Sequence, residues 1–476
     1  MTNQNNKASV KTSYLLVIIV LSLTTLMSSI DTNIVNIGLP TIARELNASF
    51  GSIQWIGLSY LLAVTSLIVG IGRIGDVFGK KSIFIYGIIL FTAASLLCGM
   101  STSIYMLIIF RALQGVGGAV LMALSFAIVG DLVSKEKLVT SMSVLTAMLP
   151  IGFALGPSIG GLLIGYFGWR AVFFFNVPIG IITLILVARF PKIPISEKVQ
   201  KFDILGLILL CFTLICYVLS VTFAESDGMG IQVILCVALT IVGIIAFLTL
   251  EHRIKYPLVK LSMFKNHVFS GSLIISVLMY AVITGTLLIL PFYLQQARGF
   301  STSKSGLLMT IGPVSCAIFT PISQWAAKKF GNYTIMLVGI FAFAAGSFVM
   351  ATLNGYSSIL RFAGTIILFN GSLAFFQTPN NAAIISTAKP EQRGLASGLL
   401  NLSRTIGQTT GMAFLGAIFY FFTNTKTVEK MKPANIVSGI DHALFIAGFV
   451  IVFAFIVGLI TLLPKARSSA LESKAS

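Results

Sequence analysis

Apolar residues run through this chain in long blocks separated by short polar connections. The blocks lie at 14–39, 52–72, 82–100, 105–129, 138–165, 171–190, 203–223, 230–250, 268–294, 304–326, 333–353, 357–376, 394–422 and 442–463. A helix rises about 1.5 Å per residue, so about 20 mostly apolar residues cross a bilayer. The pattern predicts an all-α membrane protein with fourteen transmembrane helices and both termini on one side. The first block is longer than a signal-peptide core, and no small-residue cleavage site follows it, so it reads as a retained span.

The polar connections orient the chain. If the N-terminal side is cytoplasmic, 22 of the 32 Lys and Arg fall in connections on that side and 7 on the other, with Arg111, Arg361 and Arg404 inside spans. This bias predicts a multi-pass protein of the cell membrane with cytoplasmic termini. It also accounts for the net charge of +18, so no nucleic-acid partner is read from that charge. The five cysteines lie in apolar segments without metal-ligand spacing, and His252, His267 and His442 form no cluster, so no metal is expected. The sequence contains no phosphate-binding P-loop and no catalytic constellation, which argues against ATP drive and against an enzyme.

The most basic connections, 189–201 and 251–267, flank a pair of helices in the middle of the chain. They divide it into a six-helix bundle (1–195), a two-helix insertion (196–260) and a second six-helix bundle (261–476). The sixes echo one another. "VGIGRIGDVFG" (69–79) and "PISQWAAKKFG" (321–331) close equivalent spans, "IGFALGP" (151–157) and "IGQTTGM" (406–412) keep glycines four apart, and Arg111 is matched by Arg361. A parallel repeat of two bundles with a site between them is a transporter architecture.

Asp31 is the one acidic residue, of 14, that the pattern places deep in a span. An ionised carboxylate in hydrocarbon costs about 2.5 to 3.5 kcal/mol on insertion scales, so such residues face a partner or a cavity. Counting from the ends of their spans puts Asp31 and Arg111 at a similar depth, about 12 Å below the outer surface. They can meet. A carboxylate keeps its proton in apolar surroundings and releases it beside a guanidinium, so movement of span one relative to Arg111 would switch proton binding. The alternative is a static ion pair. Thr24, Ser28 and Gly38 lie near Asp31 on its helix face, with Ser29 and Thr32 adjacent, so this side is polar.

Other motifs leave open both a structural and a functional reading. Gly152, Gly156, Pro157, Gly160 and Gly161 allow span five to bend and to approach another helix closely. Gly72, Gly75 and Gly79 permit a tight turn after span two, where Asp76 can cap a helix and Lys80 and Lys81 can fix topology. Arg404 lies near the middle of span thirteen with no carboxylate partner evident. Ser28, Tyr60, Gln114, Met148, Gln295, Gln377 and Arg404 are candidates for a substrate cavity, with plain packing as the alternative for each. The 37 phenylalanines and 15 methionines suit an adaptable apolar pocket, though most would face lipid.

"GRIGDVFGKK" (72–81), "RALQGVGGA" (111–119), "GFALGPSIGG" (152–161), "SSIDTNIVNIGLP" (28–40), "WRAVFFFNVPIG" (169–180) and "PFYLQQARGFSTSKSGLL" (291–308) together resemble the major facilitator superfamily. Within it they resemble the fourteen-span drug:proton antiporters (the DHA2 multidrug exporters). Val77 stands where a basic residue commonly follows the aspartate of the first motif. The resemblance implies export of small amphipathic drugs or metabolites by alternating access, driven by the proton gradient with no other cofactor, in a chain that works as a monomer. It implies a gate at Asp76 and a seal against proton leak along span five. Two readings compete with it: a dedicated exporter of one native lipid or metabolite, and a non-transporting membrane receptor or scaffold.

Overall fold

The computed structural model describes residues 2–133, 135–190, 203–227, 230–254, 261–388, 393–423 and 432–475. Among these residues the secondary structure is helical throughout. The first group is α1 (Thr2–Ile34), a short α2 (Leu39–Glu45), α3 (Phe50–Phe78), α4 (Lys80–Met100), α5 (Ile104–Leu132), α6 (Lys135–Phe167), α7 (Ala171–Phe174) and α8 (Asn176–Ala188). Two central helices follow, α9 (Ile204–Asp227) and α10 (Ile231–Arg253). The last group is α11 (His267–Phe292), α12 (Thr302–Phe330), α13 (Asn332–Met350), α14 (Ile359–Thr387), α15 (Arg393–Thr423) and α16 (Pro433–Ala475). Eleven helical segments among the described residues are long and apolar enough to cross a membrane, and Ile151–Phe167 and Ile204–Ser220 are shorter apolar stretches.

The two groups pack by one plan. α1 lies on α6 as α11 lies on α15. α3 and α4 both pack on α5 as α12 and α13 both pack on α14, and α8 lies against α4 and α1 as α16 lies against α13 and α11. Local sequence repeats the plan. Ser49, Ser103, Ser301 and Ser358 cap α3, α5, α12 and α14, each accepting the backbone N–H three residues on. Such a side chain satisfies one of the orphan donors at a helix start. Gly79 and Gly331 join α3 to α4 and α12 to α13 with φ of 90° and 87°, a region that only glycine adopts freely.

Some boundaries differ from the hydropathy pattern. The block at 171–190 is split into α7 and α8. Pro178, which lacks an N–H, therefore falls in the first turn of α8, where no helical bond is lost. α16 begins at Pro433 rather than at 442, which puts Asp441 two turns inside a helix. Asp31 is thus not the only acid within a long apolar helix. Arg361 stays near the end of its span, in the first turn of α14 beside the Ser358 cap. There it is exposed and donates to the Thr352 carbonyl and hydroxyl at 3.1 and 2.9 Å. It is no buried counterpart of Arg111.

Candidate functional site

Asp31 is fully buried on α1, inside the first bundle. Arg111 of α5 donates from Nη1 to Asp31 Oδ2 at 2.7 Å, and the guanidinium is itself only 1% exposed. The depth argument from the sequence thus brings together two residues 80 positions apart. The other carboxylate oxygen accepts from Gln114 Nε2 at 2.9 Å and from Asn176 Nδ2 at 2.7 Å. Arg111 Nη1 also donates to Gln114 Oε1 at 2.7 Å, Nε donates to the Ile56 carbonyl at 3.2 Å, and the guanidinium lies 4.4 Å from the centre of the Tyr60 ring. Gln114 in turn donates to Ser95 at 2.7 Å.

One buried charge pair is therefore held by side chains from α3, α4, α5 and α8. Both carboxylate oxygens have donors, which a buried charge requires. Gln114 and Tyr60, for which the sequence left a cavity and plain packing open, belong to this network. Ser28 is fully buried as well, its hydroxyl donating to the Thr24 carbonyl at 3.0 Å. Asn176 and Ser95 were not singled out by sequence. For Asn176 the available signal was an amide at the head of an apolar helix with a proline two residues on.

α6 grips the segment of α1 that carries Asp31. A Cβ on Gly156 would stand 3.0 Å from Asn33 Cβ and 3.3 Å from the Ile30 carbonyl oxygen, Gly152 abuts Ser29, and Gly160 abuts Ile34 and Ile37. The equivalent glycines of the second bundle do the same work on α11, Gly407 against Val277 and Gly411 against Ala281. The opposite side of α6 meets the other bundle. Pro157 and Gly161 touch Gly306 of α12, Ser303 donates to the Gly161 carbonyl at 3.0 Å, and Ser158 shares a short hydrogen bond with Thr310.

The bundles also meet through aromatic rings. Phe50 of α3 lies 5.3 Å from Phe292 of α11 and 5.2 Å from Phe419 of α15. These contacts lie toward the end of the molecule at which α1 and α6 finish and α3 and α12 begin, called here the distal end. Gln295, another cavity candidate, is part of the same closure, donating to the Ile37 carbonyl at 2.8 Å. None of these contacts was anticipated from sequence. If Ser158 and Thr310 are replaced by cysteines in a chain otherwise free of cysteine, oxidation should hold the distal end shut. Any flux should stop and return on reduction, as measured in proteoliposomes.

At the other end, Lys80 pairs with Asp131 at 2.6 Å, and Lys81 donates to the Phe190 carbonyl at 2.7 Å, binding the end of α8. Both lysines thus fasten helices within the first bundle. Gly75 packs against Leu124, whereas a Cβ on Gly72 would meet nothing. The Asp76 side chain lies outside the described residues. Met148 and Gln377 are partly exposed. Arg404 is partly buried, donates to Asn381 Oδ1 at 2.7 Å, and sits 5.4 Å from the Tyr280 ring centre. Among the described residues no group of three or more His, Cys, Asp or Glu is placed to hold a metal.

Comparison with known proteins matches this arrangement to a single family. Residues 21–412 match the profile described as Major Facilitator Superfamily. The chain is 32% identical over 411 residues to "Riboflavin transporter RibZ" of Clostridioides difficile (strain 630), covering 85% of this chain and 88% of that one. It is 28% identical over 408 residues to "Multidrug transporter protein MdtP" of Bacillus subtilis (strain 168), covering 85% and 75%. The fold is similar to the crystal structure of the POT family transporter PepTSo, with a TM-score of 0.71 at 14% identity over 95% of this chain and 98% of that one.

Proposed function

The chain belongs to the Major Facilitator Superfamily, a family of membrane transporters of small molecules, and on that premise we propose that it is a proton-coupled exporter. The observation that carries the reading is the sealed Asp31–Arg111 pair, held by Gln114 and Asn176. A carboxylate whose donors come from α5 and α8, within a network that also draws on α3 and α4, has its charge set by their arrangement. Rearrangement of the bundle can therefore load and unload a proton. Amphipathic drugs or metabolites leave through the cleft between the bundles as protons move inward, and the proton gradient is the only drive.

We read fourteen spans, counting α6, α9 and α15, divided as 1–195, 196–260 and 261–476. Both termini are taken as cytoplasmic and the protein as a monomer of the cell membrane. On this topology the distal end is external, and the closed Phe50–Phe292–Phe419 cluster describes a state shut to the outside. The last turns of α3, with Gly72, Gly75 and Asp76, and the turn at Gly79 form the gate element on the cytoplasmic side. Its lysines keep the ends of α5 and α8 in place as it moves.

The test is purified protein in liposomes with an imposed pH gradient, with dye or antibiotic movement and proton movement recorded together. Coupled counterflow is expected. Transport that moves no protons would end the antiport reading. The similarity to a riboflavin transporter favours a second reading, a carrier dedicated to one metabolite. In that case the same assay would respond to one compound and ignore the panel.

A further inference from the structure

The Asp31 site is neutralised inside the first bundle, and the wall of the second bundle has a different character. Along α15, Gly407 and Gly411 touch α11, while Met412 and Gly416 touch Gly57 and Gln54 of α3. At about 100° per residue, Arg404 falls between these two stripes, on the sector of α15 that faces the junction of the bundles. It lies eleven residues into a 31-residue helix, so its charge is far from either end. An arginine at that depth stays charged and requires acceptors.

It has too few of them. Nη2 is held by Asn381 Oδ1, Nε is buried with no hydrogen-bond partner, and no carboxylate among the described residues lies within ion-pair distance of it. The neighbouring groups are also donors. Because Asn381 turns its oxygen to Arg404, its amide NH₂ is free to point elsewhere, and the Tyr280 ring beside the guanidinium carries a further hydroxyl donor. Gln377 lies one turn before Asn381 on the same face of α14 and is partly exposed. The cluster is thus rich in donors, positively charged and short of an acceptor.

We propose that Arg404, Asn381 and Tyr280 form an oxyanion subsite in the cleft, so that the transported molecules are amphipathic compounds bearing a carboxylate rather than lipophilic cations. The inference rests on the reading of the cleft as the substrate path. A planar guanidinium matches a carboxylate through charge-assisted hydrogen bonds, and the Tyr280 ring holds its plane. The apolar part of the ligand would lie among the aliphatic and aromatic side chains of the cleft.

Equilibrium binding tests this without any gradient. Isothermal titration calorimetry on the purified full-length chain would compare 1-naphthaleneacetic acid, its methyl ester, and (1-naphthylmethyl)trimethylammonium. The acid is expected to bind most tightly, and Arg404→Gln should weaken it by about tenfold or more while leaving the ester unchanged. Arg404→Lys should recover part of that loss and Tyr280→Phe should lose less. A thermal melt of each variant reports whether it is folded. Equal weakening of acid and ester in a folded Arg404→Gln protein, or preference of the wild type for the ammonium compound, would overturn the proposal. Charge-selective binding by a protein that moves nothing in liposomes would keep the subsite and remove the transport reading alone.

Discussion

In liposomes with an imposed pH gradient, Asp31→Asn protein is expected to accumulate no substrate, while it inserts, melts and binds ligand much as the wild type does. The asymmetry of the network predicts this combination. With the carboxylate gone, Arg111 keeps Gln114 Oε1, the Ile56 carbonyl and the face of Tyr60. The amide at position 31 can still accept from Gln114 or Asn176. Arg111→Ala is the contrasting case, since it strands a carboxylate in the bundle, and breaking a buried pair from one side costs about 3 to 5 kcal/mol. That variant should be poorly folded, and the double variant Asp31→Asn/Arg111→Gln should regain thermal stability without regaining gradient-driven export. A static ion pair predicts otherwise: the stabilised double variant would transport. Initial rates alongside thermal melts decide between the two.

The other large effect is expected at a glycine of the second bundle. A Cβ on Gly411 would be driven into the Ala281 carbonyl oxygen, a backbone atom that no rotamer change can move aside. A Cβ on Gly156 meets only side-chain and backbone atoms at 3.0 Å and beyond, which a shift of a few tenths of an ångström relieves. Gly411→Ala should therefore destabilise the protein by about 1 to 3 kcal/mol, the usual range for overpacking, and lower its melting temperature sharply. Gly156→Ala should be nearly silent. Gly156→Leu should force α1 away from α6 at the Asp31 segment and impair transport. Equal melting curves for the two alanine variants would show that the seams are not packed as described.

Much of this molecule is legible in the sequence because a bilayer leaves a chain few options. Apolar length fixed the helices, and depth counted from their ends brought Asp31 to Arg111. The rotation of a helix about its own axis is less readable, and that is why the sequence left both a cavity and plain packing open for Gln114, Tyr60 and Ser28. A polar side chain in an apolar helix can face a cavity or a buried partner, and composition does not distinguish the two. For Gln114 a clue was present, since it follows Arg111 by three residues and so shares its face. Boundaries failed for a different reason. The apolar window started the last span at 442 and so left Asp441 outside, whereas the helix starts at Pro433, a residue suited to a first turn. Arg361, read as lying near the end of a span, does sit in the first turn of α14, but its side chain is exposed beside the Ser358 cap, which the apolar run does not reveal. The contacts that close the distal end join residues more than 130 positions apart, such as Gly161 and Ser303, and no local pattern encodes them.

The two central helices are not placed symmetrically. α9 packs on both α3 and α15, with Tyr217 donating to Thr410 at 3.0 Å and Cys211 to the Ser66 carbonyl at 3.2 Å, and α10 lies against α9. The α3–α15 seam between the bundles is thereby roofed, while the α6–α12 seam has no such cover among the described residues. A molecule dissolved in the bilayer consequently meets the two flanks of the transporter unequally. On the proposed transport reading, a compound that partitions into the membrane would reach the cleft past the glycine seam of α6 rather than past α9.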